Sequence, residues 1–328
     1  VFKMILMILL CLINTSVLAN DFYKGKELKI IIASIISPTM SFELNTRIMG
    51  KYIVRYIPGN PSVVFKNVPA AAGIAGTNMI ANESVQDGTT IVFPITSVAI
   101  RGVMKDSPEI QYDSNTLNWI GAVSNGTDDP QLLFIRKDVE LLPDFSNMLY
   151  GDTSSTKTME PGPVLKNILG YKPQLIYGYK TKQEIELAMQ RKEVNSYTTA
   201  LSLLKQSNYD IVNEFARPVI QYGSNKRNSL FPDVPTLHEF AKTQEQLDFV
   251  EFTQFTYYMT KSAAVGQNVP KDRVAILRKA FVDVCNDPEY LEEMKEKLLP
   301  VSCVEGSKVQ EIVRNNTERH ERIKHLIK

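Results

Sequence analysis

The sequence predicts an α/β protein of two lobes, with a hinge and a cleft between them, and three observations carry that prediction. Short apolar strands alternate with amphipathic helices along nearly the whole chain. Loops rich in Ser, Thr, Ala and Gly follow several of the strands, as in βαβ units that gather loop amides along one edge of a parallel sheet. A polar break at 124–130 and a return strand ending near Tyr222 divide the alternation into blocks. The chain is therefore expected to cross between lobes twice, and two crossings make a hinge.

The elements follow in order. Residues 1–19 hold Lys3, an apolar run from Met4 to Ile13, and Val17-Leu18-Ala19 with small or apolar residues at the −3 and −1 positions. This is the layout of a signal peptide, and the run is too short to span a bilayer. Ile8-Leu9-Leu10 before Cys11 lacks the small residue of a lipidation site, so soluble export is expected. Leu28–Ser34 reads as a buried strand, Phe42–Tyr52 as an amphipathic helix, and Pro61–Phe65 as a second strand. The small-residue loop Asn67–Gly73 and another helix follow, and Asp87-Gly88-Thr89-Thr90 leads into the strand Ile91–Phe93. Trp119–Val123 and Gln131–Ile135 are strands around the polar break 124–130. Further strands are expected at Met148–Tyr150, Gln174–Tyr177 and Val219–Gly223. Thr181 with Glu184, and Thr236 with Glu239, have capping-box spacing and mark helix starts. Pro270 and Asp287-Pro288 open two more helices. The domain reading is 20–124 with 222–328 as a discontinuous first lobe, and 125–221 as the second.

Charge and chemistry narrow the function. The chain has 37 Lys+Arg and 36 Asp+Glu, and removal of Lys3 with the signal peptide makes them equal. A balanced surface without a basic block argues against nucleic acid as a partner. No Gly-x-Ser-x-Gly occurs, and no Cys/His/carboxylate spacing suits a metal. No cofactor fingerprint is present, because Gly73-Ile74-Ala75-Gly76 is too sparse for a dinucleotide. Asp128-Asp129 reads as a solvated turn. His320 and His325 read as members of a solvated terminal helix. His238 alone could serve a secreted hydrolase with a hydroxyl nucleophile, a competing reading that needs a Ser or Thr within its reach. Cys285 and Cys303 could form a disulfide in an oxidising compartment or remain buried free thiols.

Several motifs give the chain a family resemblance: Ile57-Pro58-Gly59-Asn60-Pro61, Asn67-Val68-Pro69, Asp87-Gly88-Thr89-Thr90, Gly178-Tyr179, Ala188-Met189 with Glu193-Val194, and Pro232-Asp233-Val234-Pro235-Thr236. Leu277–Phe281 and Asp287–Tyr290 continue the series. In order and spacing these resemble the periplasmic substrate-binding proteins of tripartite tricarboxylate transporters, the Bug receptors. The resemblance implies a type II periplasmic-binding-protein fold that clamps a small carboxylate between its lobes and passes it to a membrane permease. It also implies a periplasmic, non-enzymatic, monomeric receptor. A receptor of the same fold that presents itself to a membrane sensor is the alternative.

The ligand is expected to be a small mono- or dicarboxylate held by neutral donors. On one side these are Ser37, Thr39, Ser41, Ala72, Gly73, Thr96 and Ser97, and on the other Thr153, Ser154, Ser155, Thr198 and Thr199, because loops after parallel strands face a common edge. Arg47 and Lys157 are the nearest cations, and no arginine pair suggests bidentate capture. The chain departs from the family at three glycine-bearing places. A Gly-Gly turn followed by Asp becomes Ser37-Pro38-Thr39-Met40-Ser41-Phe42-Glu43. Pro-Gly-Ala-Gly-Gly becomes Pro69-Ala70-Ala71-Ala72-Gly73, and Arg-Gly-Glu becomes Arg191-Lys192-Glu193. Glycine permits positive φ and close backbone approach, which Ala, Thr and Lys resist. The departures therefore bear on ligand geometry more than on the fold.

Overall fold

The structure, a computed structural model, describes residues 21–34, 41–124, 129–153, 160–207 and 213–327. The chain forms two compact units. The first runs to Val123 and resumes over Lys261–Arg314, and the second comprises Ser124–Thr260 and Asn315–Lys328.

The first unit is built on a six-stranded sheet in the order β2-β1-β3-β10-β4-β11. Its strands are β1 (Glu27–Ala33), β2 (Ser62–Asn67), β3 (Thr90–Pro94), β4 (Asn118–Ser124), β10 (Thr260–Val265) and β11 (Val304–Glu305). β1 pairs in parallel with both β2 and β3. Its Ile30, Ile31 and Ile32 are fully buried, as suits a central strand covered on both faces. β10, the strand that returns from the second unit, enters antiparallel beside β3. Helix α1 (Ser41–Ile53) packs Ile48, Met49, Tyr52 and Ile53 into the core. Helices α8 (Lys271–Cys285) and α9 (Pro288–Glu296) add Leu277, Phe281, Val284, Tyr290 and Met294 to it. Asp287 caps α9 by accepting from the amides of Glu289 and Tyr290. Cys285 and Cys303 are joined by a disulfide across an 18-residue separation, with Cα atoms 6.2 Å apart.

The second unit has a five-stranded sheet in the order β7-β6-β8-β5-β9. These strands are β5 (Gln131–Arg136), β6 (Leu149–Gly151), β7 (Gln174–Ile176), β8 (Ser196–Ala200) and β9 (Ala216–Tyr222). β6 pairs in parallel with β7 and β8, and β5 runs antiparallel to β8 and β9. Its core gathers Leu132, Phe134, Ile185, Met189, Val194, Tyr197 and Leu204. Thr181 caps helix α5 (Lys182–Gln190) by accepting from the Glu184 amide at 3.2 Å, while Glu184 accepts from the Lys180 amide at 2.7 Å. Thr236 and Glu239 form a full capping box.

The unit boundaries differ from those read in the sequence. β9 pairs with β5 along its length, so the chain stays in the second unit past Tyr222 and leaves it only after Thr260. Helix α10 (Gly306–Ile323) then carries the chain back across the division at Arg314/Asn315. The strand Val219–Gly223 was a sound element but a poor boundary: its partner strand decides its unit, and pairing partners are invisible in a linear pattern.

Candidate functional site

β1, β2 and β3 are parallel, so their C-terminal ends share one edge of the first unit. The turn after β2 has an unusual backbone. Ala71 (φ 51°, ψ 43°) and Ala72 (φ 51°, ψ 40°) are both left-handed, and Gly73 (φ 90°) follows as the N-cap of α2 (Ile74–Asn78). Left-handed backbone costs an L-residue about 1–2 kcal/mol. A Cβ on Gly73 would lie 2.2 Å from the Ala33 carbonyl oxygen, so that position admits only glycine. Ala70, Ala71 and Ala72 are exposed, whereas Gly73 is buried. A left-handed turn aligns successive amides as a right-handed one does, and such concavities suit anions. The glycine losses thus leave positive φ in place: Lys192 (φ 68°) also adopts it, where resistance was expected.

The first turn of α1 is fastened to the same edge. Glu43 Oε1 accepts from Asn67 Nδ2 at 3.0 Å and from Arg47 Nη2 at 2.7 Å, and Arg47 Nη2 also lies 2.9 Å from Asn67 Oδ1. The hydrogen bond from Asn67, with the adjacent Arg47 guanidinium, holds the Glu43 carboxyl below its ordinary pKa. Arg47 is therefore committed to Glu43 and is not a free surface charge. Asn45 is fully buried on the same helix, yet among the described residues neither its Oδ1 nor its Nδ2 has a hydrogen-bond partner.

In the second unit, Thr198 and Thr199 are buried inside β8 rather than in a loop. The Thr198 hydroxyl is hydrogen-bonded to the Tyr150 hydroxyl. Thr153 follows β6 and is exposed, and its amide donates to Asp152 Oδ1 at 2.7 Å. Tyr222 donates to Oε2 of Glu160, the N-cap residue of α4 (Pro161–Asn167), at 2.8 Å, and the Tyr222 and Tyr257 rings meet edge-on at 5.4 Å. Burial, reinforced by Glu160, raises the pKa of Tyr150, Tyr222 and Tyr257, so all three are neutral hydroxyls at physiological pH.

The structure places Ala72 and Gly73 at the strand-end edge and Ser97 on the exposed surface of α3 (Thr96–Met104). The backbone of Ser41 and Thr96 begins α1 and α3. Ser37, Thr39, Ser154, Ser155 and Lys157 lie outside the described residues, as does Asp128. Asp129 is no idle turn residue: its carboxylate accepts from the Ser202 amide and hydroxyl at 2.9 and 2.7 Å, at the start of α6 (Leu201–Ser207). A surface cavity of about 350 Å³, lined by Asn82, Lys105, Gln111, Asp113 and Gln267 among others, contains none of the predicted residues. Among the described residues no group of His, Cys, Asp and Glu could hold a metal ion.

The histidines also differ from expectation. His238 Nε2 faces the Glu251 carboxylate, with 2.9 Å between the nearest atoms. His320 is buried and stacked on Phe252, with ring centroids 5.3 Å apart, because its helix face packs on α7 (Gln244–Gln254). Sequence reasoning missed Asn45, Tyr150, Tyr222 and Glu160. Only Asn45 left a signal: it interrupts the apolar stripe Phe42, Ile48, Met49 and Tyr52 of its helix.

Solved structures share this architecture. A TctC solute-binding protein from Polaromonas, solved without ligand, is 15% identical, covers 93% of this chain and 99% of its own, and has a TM-score of 0.69. The chain has the fold of the periplasmic solute-binding proteins. MatC from Rhodopseudomonas palustris with bound malate is 12% identical over 90% of this chain and 98% of its own, with a TM-score of 0.58. A second R. palustris protein, with adipate, is 14% identical over 92% and 97%, with a TM-score of 0.59. The Polaromonas protein and a further solved neighbour, BugD, are named as binding proteins. No protein-family model and no curated protein sequence matches the chain.

Proposed function

We propose that this protein is an extracytoplasmic solute receptor that takes up a small organic carboxylate and delivers it to a membrane permease. The observation that carries the reading is the left-handed run Ala71-Ala72-Gly73 at the C-terminal edge of three parallel strands, with Ala71 and Ala72 exposed and Gly73 buried beneath them. Strain retained at two alanines, where an ordinary turn would relieve it, favours a functional role for that backbone. Its amides can ligate a carboxylate without a cationic side chain, which keeps binding reversible. Solved proteins of the same fold carry malate or adipate, which supports a carboxylate as the ligand class. The segment 1–19 supports export to the periplasm.

The test is a thermal-shift screen of carboxylic acids against sugars and cations. A ligand at 100 times its dissociation constant stabilises by about 2.7 kcal/mol. Replacement of Ala72 by a bulky residue, Ala72→Phe, is expected to abolish a carboxylate hit. Hits confined to sugars or cations would overturn the reading.

A further inference from the structure

We infer that Asn45 is a ligand-reading residue of the first unit, and that its amide selects a carboxylate bearing a hydroxyl on the neighbouring carbon. The inference rests on the receptor reading above and specifies its ligand. Asn45 is 0% exposed, and among the described residues neither polar atom of its side chain has a partner. Buried amides are almost always satisfied, so an orphaned one calls for a partner that arrives. Its position in the helix says where that partner sits. Asn45 lies at the second turn of α1, whose first turn is tied by Glu43 to Asn67 at the end of β2. Helical side chains lean toward the N-terminus, so the Asn45 amide covers the turn that begins at Ser41. That turn is held beside the end of β2, the strand that leads into the exposed Ala71 and Ala72.

Glu43 does not compete for this position. At about 100° per residue, Asn45 is about 200° around the helix from Glu43. The Glu43 carboxylate is turned to Arg47 and Asn67. Asn45 instead shares the face of Ile48, Met49 and Tyr52, which belong to the apolar core. A polar group in that surround is read only through hydrogen bonds, with little competition from water. The amide offers a donor, Nδ2–H, beside an acceptor, Oδ1. Its complement is a group with an acceptor beside a donor. A carboxylate with an adjacent hydroxyl provides that pair, whereas a plain carboxylate leaves Oδ1 unsatisfied.

The experiment compares hydroxy acids with their deoxy partners, malate with succinate and lactate with propionate, on the wild-type protein and on Asn45→Leu and Asn45→Asp. Calorimetric affinity and the unfolding midpoint are both read. The wild type is expected to prefer the hydroxy acid of a pair by tenfold or more. Asn45→Leu is expected to keep or raise the ligand-free midpoint and to lose that preference. Asn45→Asp, which keeps the shape and removes the donor, is expected to lose it as well. A wild type that binds both members of each pair equally overturns the inference while the receptor reading stands, and this outcome needs no variant. An Asn45→Leu protein with a lowered midpoint and an intact preference also overturns it, since the amide then serves the fold. A wild type that binds no carboxylate removes the receptor reading itself.

Discussion

At the scale of single residues, the chain holds left-handed backbone where glycine would be the cheaper occupant. Lys192 ends α5 in a Schellman arrangement, with its amide donating to Met189 O at 3.1 Å and the Glu193 amide to Ala188 O at 2.9 Å. Its φ of 68° is held by those two bonds against the steric preference of a side chain. Lys192→Gly is therefore expected to raise stability by about 1 kcal/mol, the left-handed penalty less the extra entropy glycine brings to the unfolded chain. Urea denaturation checks this, and an unchanged or lower midpoint would count against the strain argument. His320 makes the second residue-scale prediction. Its burial against Phe252 lowers its pKa below the ordinary 6.5, so the unfolded state takes up the proton more readily. The stability this gives is complete above pH 6.5 and is lost as pH falls through the folded-state value. His320→Phe should flatten the stability profile in the acid range below pH 6.5 relative to the wild type. A parallel profile in the variant would show that the proton goes elsewhere.

At the scale of elements, the strands and helix starts were legible and the site was legible only in part. β1 could be read because Ile30-Ile31-Ile32 has no polar alternation, the mark of a strand buried on both faces. The start of α5 could be read because Thr181 and Glu184 have capping spacing. Thr181→Ala should cost about 1 kcal/mol, measured by thermal unfolding, because the Glu184 amide would lose its acceptor. A cost near zero would mean that water replaces the cap. Thr198 and Thr199 were misread for the opposite reason. Hydroxyl-rich Tyr197-Thr198-Thr199 looks like a loop, yet β-branched residues suit a strand, and pairing with Leu132 and Leu133 of β5 settles which tendency wins. The Tyr222–Glu160 bond joins residues 62 positions apart and leaves no local trace. Ala71 and Ala72 were noted as departures from glycine, but their left-handed backbone is a tertiary outcome, fixed by Gly73 packing on Ala33.

At the scale of the whole molecule, each unit has its own sheet and its own core, which predicts separable stabilities. The chain places a distinct probe and a distinct lever in the first unit. Trp119 is the sole tryptophan of the sequence, fully buried in β4, with its indole N–H donating to Ser114 O at 2.8 Å. The Cys285–Cys303 disulfide closes its loop in that unit too, between α8 and β11. A closed loop of 18 residues restricts the unfolded chain by about 3 kcal/mol in the chain-entropy account. With a urea dependence of about 2 kcal/mol per molar, reduction should move the Trp119 fluorescence transition down by about 1.5 M. The second unit keeps its buried tyrosines and contains neither cysteine, so it should be indifferent to the reductant. Far-ultraviolet circular dichroism reports both units. It should follow the Trp119 curve more closely in the oxidised protein and split into two steps in the reduced one, the later step unmoved. Coincident fluorescence and dichroism curves after reduction would mean that the units unfold as one, with the disulfide stabilising the whole chain. A Trp119 transition that ignores the reductant would mean that the bridge adds nothing to the first unit.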